Sequence, residues 1–174
     1  ERVVLKGLNP FWRAAYQFNF SEDKSLMVGA FGMDTKIYPD NTDSSGSTDK
    51  FRDVGIDANY QYDSDEHRLR ATVAHVWEKQ NLDASFARGL ATNSSNDLST
   101  TRARLTYYYQ KKYGATLGYF NIKGSRDALR YETEDPGVGE PITGSANSSP
   151  RTNGYMAELS YLPAENLKVG LQYT

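Results

Sequence analysis

The chain has 174 residues, with 20 Lys and Arg against 22 Asp and Glu, a net charge of −2 and no cysteine. That balance leaves no basic footprint for nucleic acid. The lack of cysteine excludes disulfides, thiolate zinc sites, iron–sulfur clusters and covalent c-type haem within this sequence.

At this length one domain is expected. No stretch of about 18 apolar residues exists, so no transmembrane helix is expected. A membrane barrel stays open, because its strands show only alternate residues to lipid and give a weak hydropathy signal. Aromatic residues make up 13% of the chain, and 13 of them are Tyr. With 14 Gly and long Ser/Asn/Asp stretches, this points to β structure with large polar loops.

Residues 1–10 read as a lead-in that ends in a turn at Asn9 and Pro10. Residues 11–20 alternate: Trp12, Ala14, Tyr16, Phe18 and Phe20 on one face, Arg13, Ala15, Gln17 and Asn19 on the other. Such alternation is a strand signal. After a short turn, residues 26–38 return with less distinct faces, interrupted by Gly29 and Gly32. Residues 39–50 form a loop by composition.

Residues 51–80 carry the plainest pattern. Val54, Ile56, Ala58, Tyr60 and Tyr62 oppose Asp53, Gly55, Asp57, Asn59 and Gln61. A turn follows at 63–66. Then Leu69, Ala71, Val73, His75 and Trp77 oppose Arg68, Arg70, Thr72, Glu78 and Gln80.

Residues 88–99 read as a second polar loop, and 100–110 as a strand. Ala103, Leu105, Tyr107 and Tyr109 share its apolar face, with Arg102, Arg104, Thr106 and Tyr108 opposite. Lys111 and Lys112 make a tight turn. The return strand from Tyr113 extends toward Tyr131, and residues 132–151 form the longest loop. Tyr155, Ala157, Leu159 and Tyr161 then oppose Met156, Glu158 and Ser160. After a turn at 163–166, a last strand carries Lys168 on its polar side.

The reading is all-β: an antiparallel up-and-down meander of about eight strands in four hairpins. A meander must hide its edges, and closing into a barrel does so. A soluble, lipocalin-like barrel would turn the apolar face inward, toward a small apolar ligand. An outer-membrane barrel turns it outward to lipid.

The apolar faces place small aliphatic residues in mid-strand and aromatics toward the ends. Short turns alternate strictly with long loops. Both features favour the membrane form, complete or incomplete. On that reading Val54, Ile56, Tyr60, Val73, Trp77, Leu105, Tyr107 and Leu159 face lipid. Asp53, Asp57, Arg68, Arg70, Arg102, Arg104, Glu158 and Lys168 line the interior. Charged rows in a pore give ion selectivity; cross-strand ion pairs filling a narrow interior would use the same residues.

Four stretches together, FWRAAYQFNFSEDKSLMVGAFGMDT, DKFRDVGIDANYQY, KKYGATLGYFNIKGS and NGYMAELSYLPAENLKVGLQYT, resemble a group of bacterial outer-membrane porin-like proteins. That group is often catalogued with cytochrome c components, although this sequence has no CxxCH. The resemblance covers nearly the whole chain. It implies a β-barrel in the outer membrane of a Gram-negative bacterium, acting as a passive channel for ions or small polar solutes. It also implies further strands beyond Thr174, ending in an aromatic residue that is not present here. Expected partners are outer-membrane lipid and the solute, with a homo-oligomer left open; no nucleic acid, cofactor, metal or enzymatic role is expected. A structural or adhesive surface barrel is the other alternative.

The remaining motifs carry weaker signals. The segment Asn41, Asp43, Ser45, Gly46 imitates a calcium loop, but Arg52 stands where an EF-hand needs its bidentate Glu. Glu132, Glu134, Asp135 and Glu140 read as a solvated loop in preference to a surface ion site. His67 and His75 have no nucleophile motif around them. The sequon-like Asn93 and Asn147 read as ordinary loop composition.

Overall fold

The structure is a computed structural model that describes residues 3–132, 145–164 and 166–174. Eight antiparallel strands form one sheet in sequence order. They are β1 (Phe11–Ser21), β2 (Lys24–Ile37), β3 (Asp49–Asp63), β4 (His67–Asn81), β5 (Ser95–Tyr109), β6 (Tyr113–Gly124), β7 (Thr152–Ala164) and β8 (Leu167–Tyr173). This is the expected meander. The sheet is not closed: β1 and β8 are edge strands.

The register decides the faces, because residues opposite each other in an antiparallel pair share a side. Val54 lies opposite Trp77, Ile56 opposite His75 and Ala58 opposite Val73. Leu105 joins the same face between Ala71 and Leu117, and Leu159 joins it opposite Ala115 and Leu171. Tyr60 and Tyr107 complete the expected set. Most of this face is open: Ile56 is 52% exposed, Leu105 43% and Leu159 66%.

The fully buried apolar residues among those described are Leu82, Ala84 and Ala91. All three lie in the connection between β4 and β5, and none is on a strand. The sheet therefore has no apolar core of its own. In water an exposed apolar area of this extent would be a strong liability.

Curvature follows from the polar face. One cavity of about 910 Å³ is lined from all eight strands, from Arg13 on β1 to Gln172 on β8. Most of its lining, including Asp57, Asn59, Thr72, Arg102, Arg104 and Met156, belongs to the polar face, which is therefore the side the sheet curls around. The sheet thus curls with its charged side inward.

The irregular faces of β2 now resolve. Gly29 points to the polar side, opposite Asp57. A Cβ there would sit 3.0 Å from the Asp57 carboxylate and 3.1 Å from the Arg13 guanidinium. Its absence leaves room for these two side chains to meet across β2. Gly32 lies on the apolar side beneath Trp12. The cross-strand pair Phe31 and Gly55 repeats that device on the polar side, an aromatic ring covering the pleat where a side chain is missing.

Two strand ends differ from expectation. Residues 95–99, read as loop, open β5 and pair residue for residue with the end of β4. Their polar side chains lie beyond the apolar band, and backbone pairing needs no apolar residue there. The strand expected to run toward Tyr131 ends at Gly124. The chain then turns into a short helix, α2 (Ala128–Tyr131), capped by Asp127. A second short helix, α1 (Asp83–Ala87), follows β4. The long-loop expectation for 132–151 falls partly outside the described residues, as do Glu134, Asp135 and Glu140.

The lead-in is not free. Tyr38 N–H donates to the Val4 carbonyl at 3.0 Å and Lys6 N–H to the Lys36 carbonyl at 2.9 Å. The segment thus prolongs β1 along the β2 edge. At the short-turn end, Gln110 and Lys111 both have positive φ, 50° and 57°. Lys112 N–H donates to the Tyr109 carbonyl at 3.0 Å. This is type I′ geometry, whose twist suits a hairpin.

Candidate functional site

The site is built from the concave face, where alternate residues of each strand point inward. Near its middle, Arg13 donates to Asp57 at 2.8 Å. Arg102 lies opposite Ala74, which in turn faces Asp57. Arg104 lies opposite Thr72. Both arginines are exposed to the cavity, and neither makes an ion pair among the described residues. Asn59, Thr72, Phe120 and Met156 share the cavity wall with them. On β7 and β8, Lys168 is ion-paired with Glu158.

Alternation alone puts Asp53, Asp57, Arg68 and Arg70 on one side of the hairpin, and the register then separates the acids from the arginines. Asp53 and Asp57 are not beside Arg68 and Arg70. Arg68 is directly opposite Asp63, and Arg70 is opposite Gln61. Asp63 takes both: Arg68 Nε donates to it at 2.7 Å, and Arg70 also donates to it. Asp63, which the sequence reading placed in the turn, is therefore the acidic partner at the short-turn end.

Asp53 lies opposite Glu78, so two carboxylates face each other at the long-loop end. Along the strand axis the concave face thus runs from a neutralised cluster through two arginines without an ion pair among the described residues to an acidic pair.

The outward face has its own order. Near the short turns, His67 Nδ1 and Tyr107 Oη are 2.7 Å apart, and Tyr113 stacks on Tyr161 with centroids 5.3 Å apart. Near the long loops, His75 meets Trp77 edge-on with centroids 4.3 Å apart, while Tyr119 and Tyr155, centroids 5.0 Å apart, lie in register with Ala103 and Val73. Beyond Trp77 come ion pairs, Arg52 with Asp34 at 2.7 Å and Lys79 with Asp97 at 2.9 Å. Both histidines are placed in this outer surface, away from the concave site.

The long loops are latched together. Asp49 is buried and accepts from the backbone N–H of Ala84 at 3.1 Å and of Ser85 at 3.0 Å. It thereby caps α1 from the start of β3. Arg88 reaches Asp43 at 3.3 Å. The Thr42 hydroxyl and N–H on Asp40, and those of Ser45 on Asp43, hold both carboxyls below the usual carboxylate range. Asp43 is thus engaged in local turn bonds, and Arg52 faces the outer surface, so the calcium-loop imitation is not assembled.

Asp127 is fully buried. It accepts from Thr92 N–H at 2.8 Å, Asn93 N–H at 3.3 Å and the Asn96 side-chain amide at 2.9 Å. Burial pushes this carboxyl upward, but these donors outweigh it and hold it below its ordinary value of 3.8. Sequence inspection missed Asp49 and Asp127. The signal that could have found Asp127 is an Asp three residues before Arg130, an N-cap spacing.

Set against protein-family models, curated proteins and solved structures, the chain matches none. Its chemistry is therefore read from this geometry alone.

Proposed function

We propose that the chain forms the wall, or part of the wall, of a β-barrel in the outer membrane of a Gram-negative bacterium, serving as a passive, porin-like path for small ions or polar solutes. The observation that carries the reading is the direction of curvature: the charged face is concave and the apolar face is exposed. A lipocalin-like binder of apolar ligands would need the opposite. The apolar band, bounded on both sides by aromatics and at the long-loop end by ion pairs as well, fits a bilayer with its two interfaces.

Arg102 and Arg104 are the groups best placed to act on a passing solute. They are exposed to the cavity and make no ion pair among the described residues, although Arg102 shares a smaller cavity with Asp53 and Glu78. A desolvating path lined by fixed positive charge favours anions. The other cations of this face, Arg13, Arg68, Arg70 and Lys168, already hold carboxylates.

Two measurements test this. Recovery of the folded chain in the aqueous phase without detergent would sink the membrane assignment. In planar bilayers under a salt gradient, the wild type is expected to prefer anions. The Arg102→Glu, Arg104→Glu double variant should move the reversal potential toward cation preference. An unchanged reversal potential would remove these arginines from the path.

A further inference from the structure

We infer that Asp53, Glu78 and Gln80 form a binding site for a hard divalent cation, Ca²⁺ in preference to Mg²⁺, at the long-loop end of the concave face. Asp53 and Glu78 lie directly opposite each other on β3 and β4. Like charges in that relation are destabilising unless something positive lies between them.

Gln80 supplies the independent observation. It is only 3% exposed. Its amide nitrogen is anchored on the Glu78 carboxylate, while its Oε1 is buried with no hydrogen-bond partner among the described residues. Asp53 Oδ1 is likewise buried and unpartnered. A buried acceptor left unmet costs free energy and calls for a donor or a cation.

All three residues line one cavity of about 820 Å³ beneath the long loops. Two arginines also line it, but both are directed elsewhere. Arg88 is held by Asp40 and Asp43, and Arg130 lies over the Tyr131 ring.

The donor set fixes the class of ion. It is oxygen only, two carboxylates and an amide carbonyl, with neither histidine near. That excludes a preference for softer transition metals. Three protein oxygens from neighbouring strands leave the remaining positions to water. Ca²⁺ tolerates such an irregular shell, whereas Mg²⁺ demands a compact octahedron. The site does not depend on the membrane assignment, since it uses only the concave face and its loops.

Calorimetric titration of the folded chain in detergent micelles with CaCl₂, and separately with MgCl₂, is the test. The expected result is one Ca²⁺ site with Kd of about 0.1–1 mM, the range of sites with modest ligand charge. Asp53→Asn and Glu78→Gln should each weaken it about tenfold or more, and Gln80→Glu should tighten it by adding ligand charge. Circular dichroism confirms that each variant keeps its strand signal.

Two outcomes overturn the inference. One is no Ca²⁺ binding by the folded wild type in that range, which would leave a shared proton to hold the two carboxyls together. The other is undiminished binding in the Asp53→Asn, Glu78→Gln double variant, which would place the ion on the acidic loops.

Discussion

Leu105→Arg is expected to cost about 2–4 kcal/mol of folded-state stability in a bilayer, and Val73→Arg a similar amount. Leu105 sits in mid-strand, flanked by Ala71 on β4 and Leu117 on β6. Val73 lies opposite Ala58 and Ala103 on the same face. Neither position has a carboxylate partner opposite it. A guanidinium there must be buried in hydrocarbon or drag water and headgroups toward the midplane.

The contrasting variant is Thr72→Arg, one residue away on the concave side. It lands opposite Arg104, and that like-charge pairing should cost less than about 1 kcal/mol. The folded fraction in lipid vesicles across a urea series separates the two cases. A chain that tolerated Leu105→Arg as readily as Thr72→Arg would not present this face to lipid.

The architecture was legible in the sequence because period-two alternation is a property of single strands. β1, β3, β4, β5 and β7 could each be divided into an apolar and a polar side without knowledge of their neighbours. The register keeps the two sets on opposite sides of the sheet, Asp53, Asp57, Arg102 and Glu158 on one and Val54, Ile56, Leu105 and Leu159 on the other.

What alternation does not contain is the partner. Moving the pairing of β3 and β4 by two residues keeps every face but exchanges every contact. The tight turn after Asp63 aligns that residue with Arg68, and so Asp53 meets Glu78 and not an arginine. The ion pairs near the turn and the acidic pair near the loops both follow from that one register.

The faces of β2 were obscure for a different reason. Gly29 and Gly32 carry no side chain to report a side, and each is filled by a residue from another strand. The loop end was illegible because its order comes from single polar residues used over long separations. Asp49 caps a helix that begins 34 positions later in the chain, at Asp83. Leu82, fully buried, opens a short stretch with Phe86 and Leu90 at spacings of four, too brief to stand out from the polar loop around it.

That loop order can be removed at one point. Asp127→Ala is expected to release the connections around α1 and α2 from each other while leaving the sheet intact. The carboxylate is the common acceptor for the Thr92 and Asn93 backbones, the Asn96 amide and the Arg130 N–H that opens α2. Truncation leaves the buried Asn96 amide and three part-buried N–H groups without their acceptor, at a cost of roughly 3 kcal/mol of local stability. Amide exchange at Thr92, Asn93 and Arg130 should accelerate about a hundredfold on that basis. Exchange in mid-strand β4 and β5 should not change.

Acid should do the same to the wild type. The folded carboxyl lies below 3.8, so the latch is fully present above that unfolded value. It is lost as pH falls through the lower, folded one. Asp127→Asn keeps an acceptor oxygen but does not titrate, so it should show a smaller loss and no acid dependence at these amides. If acid opened the loops equally in Asp127→Asn, the latch would belong to another carboxylate, with Asp49 at the cap of α1 the first to examine.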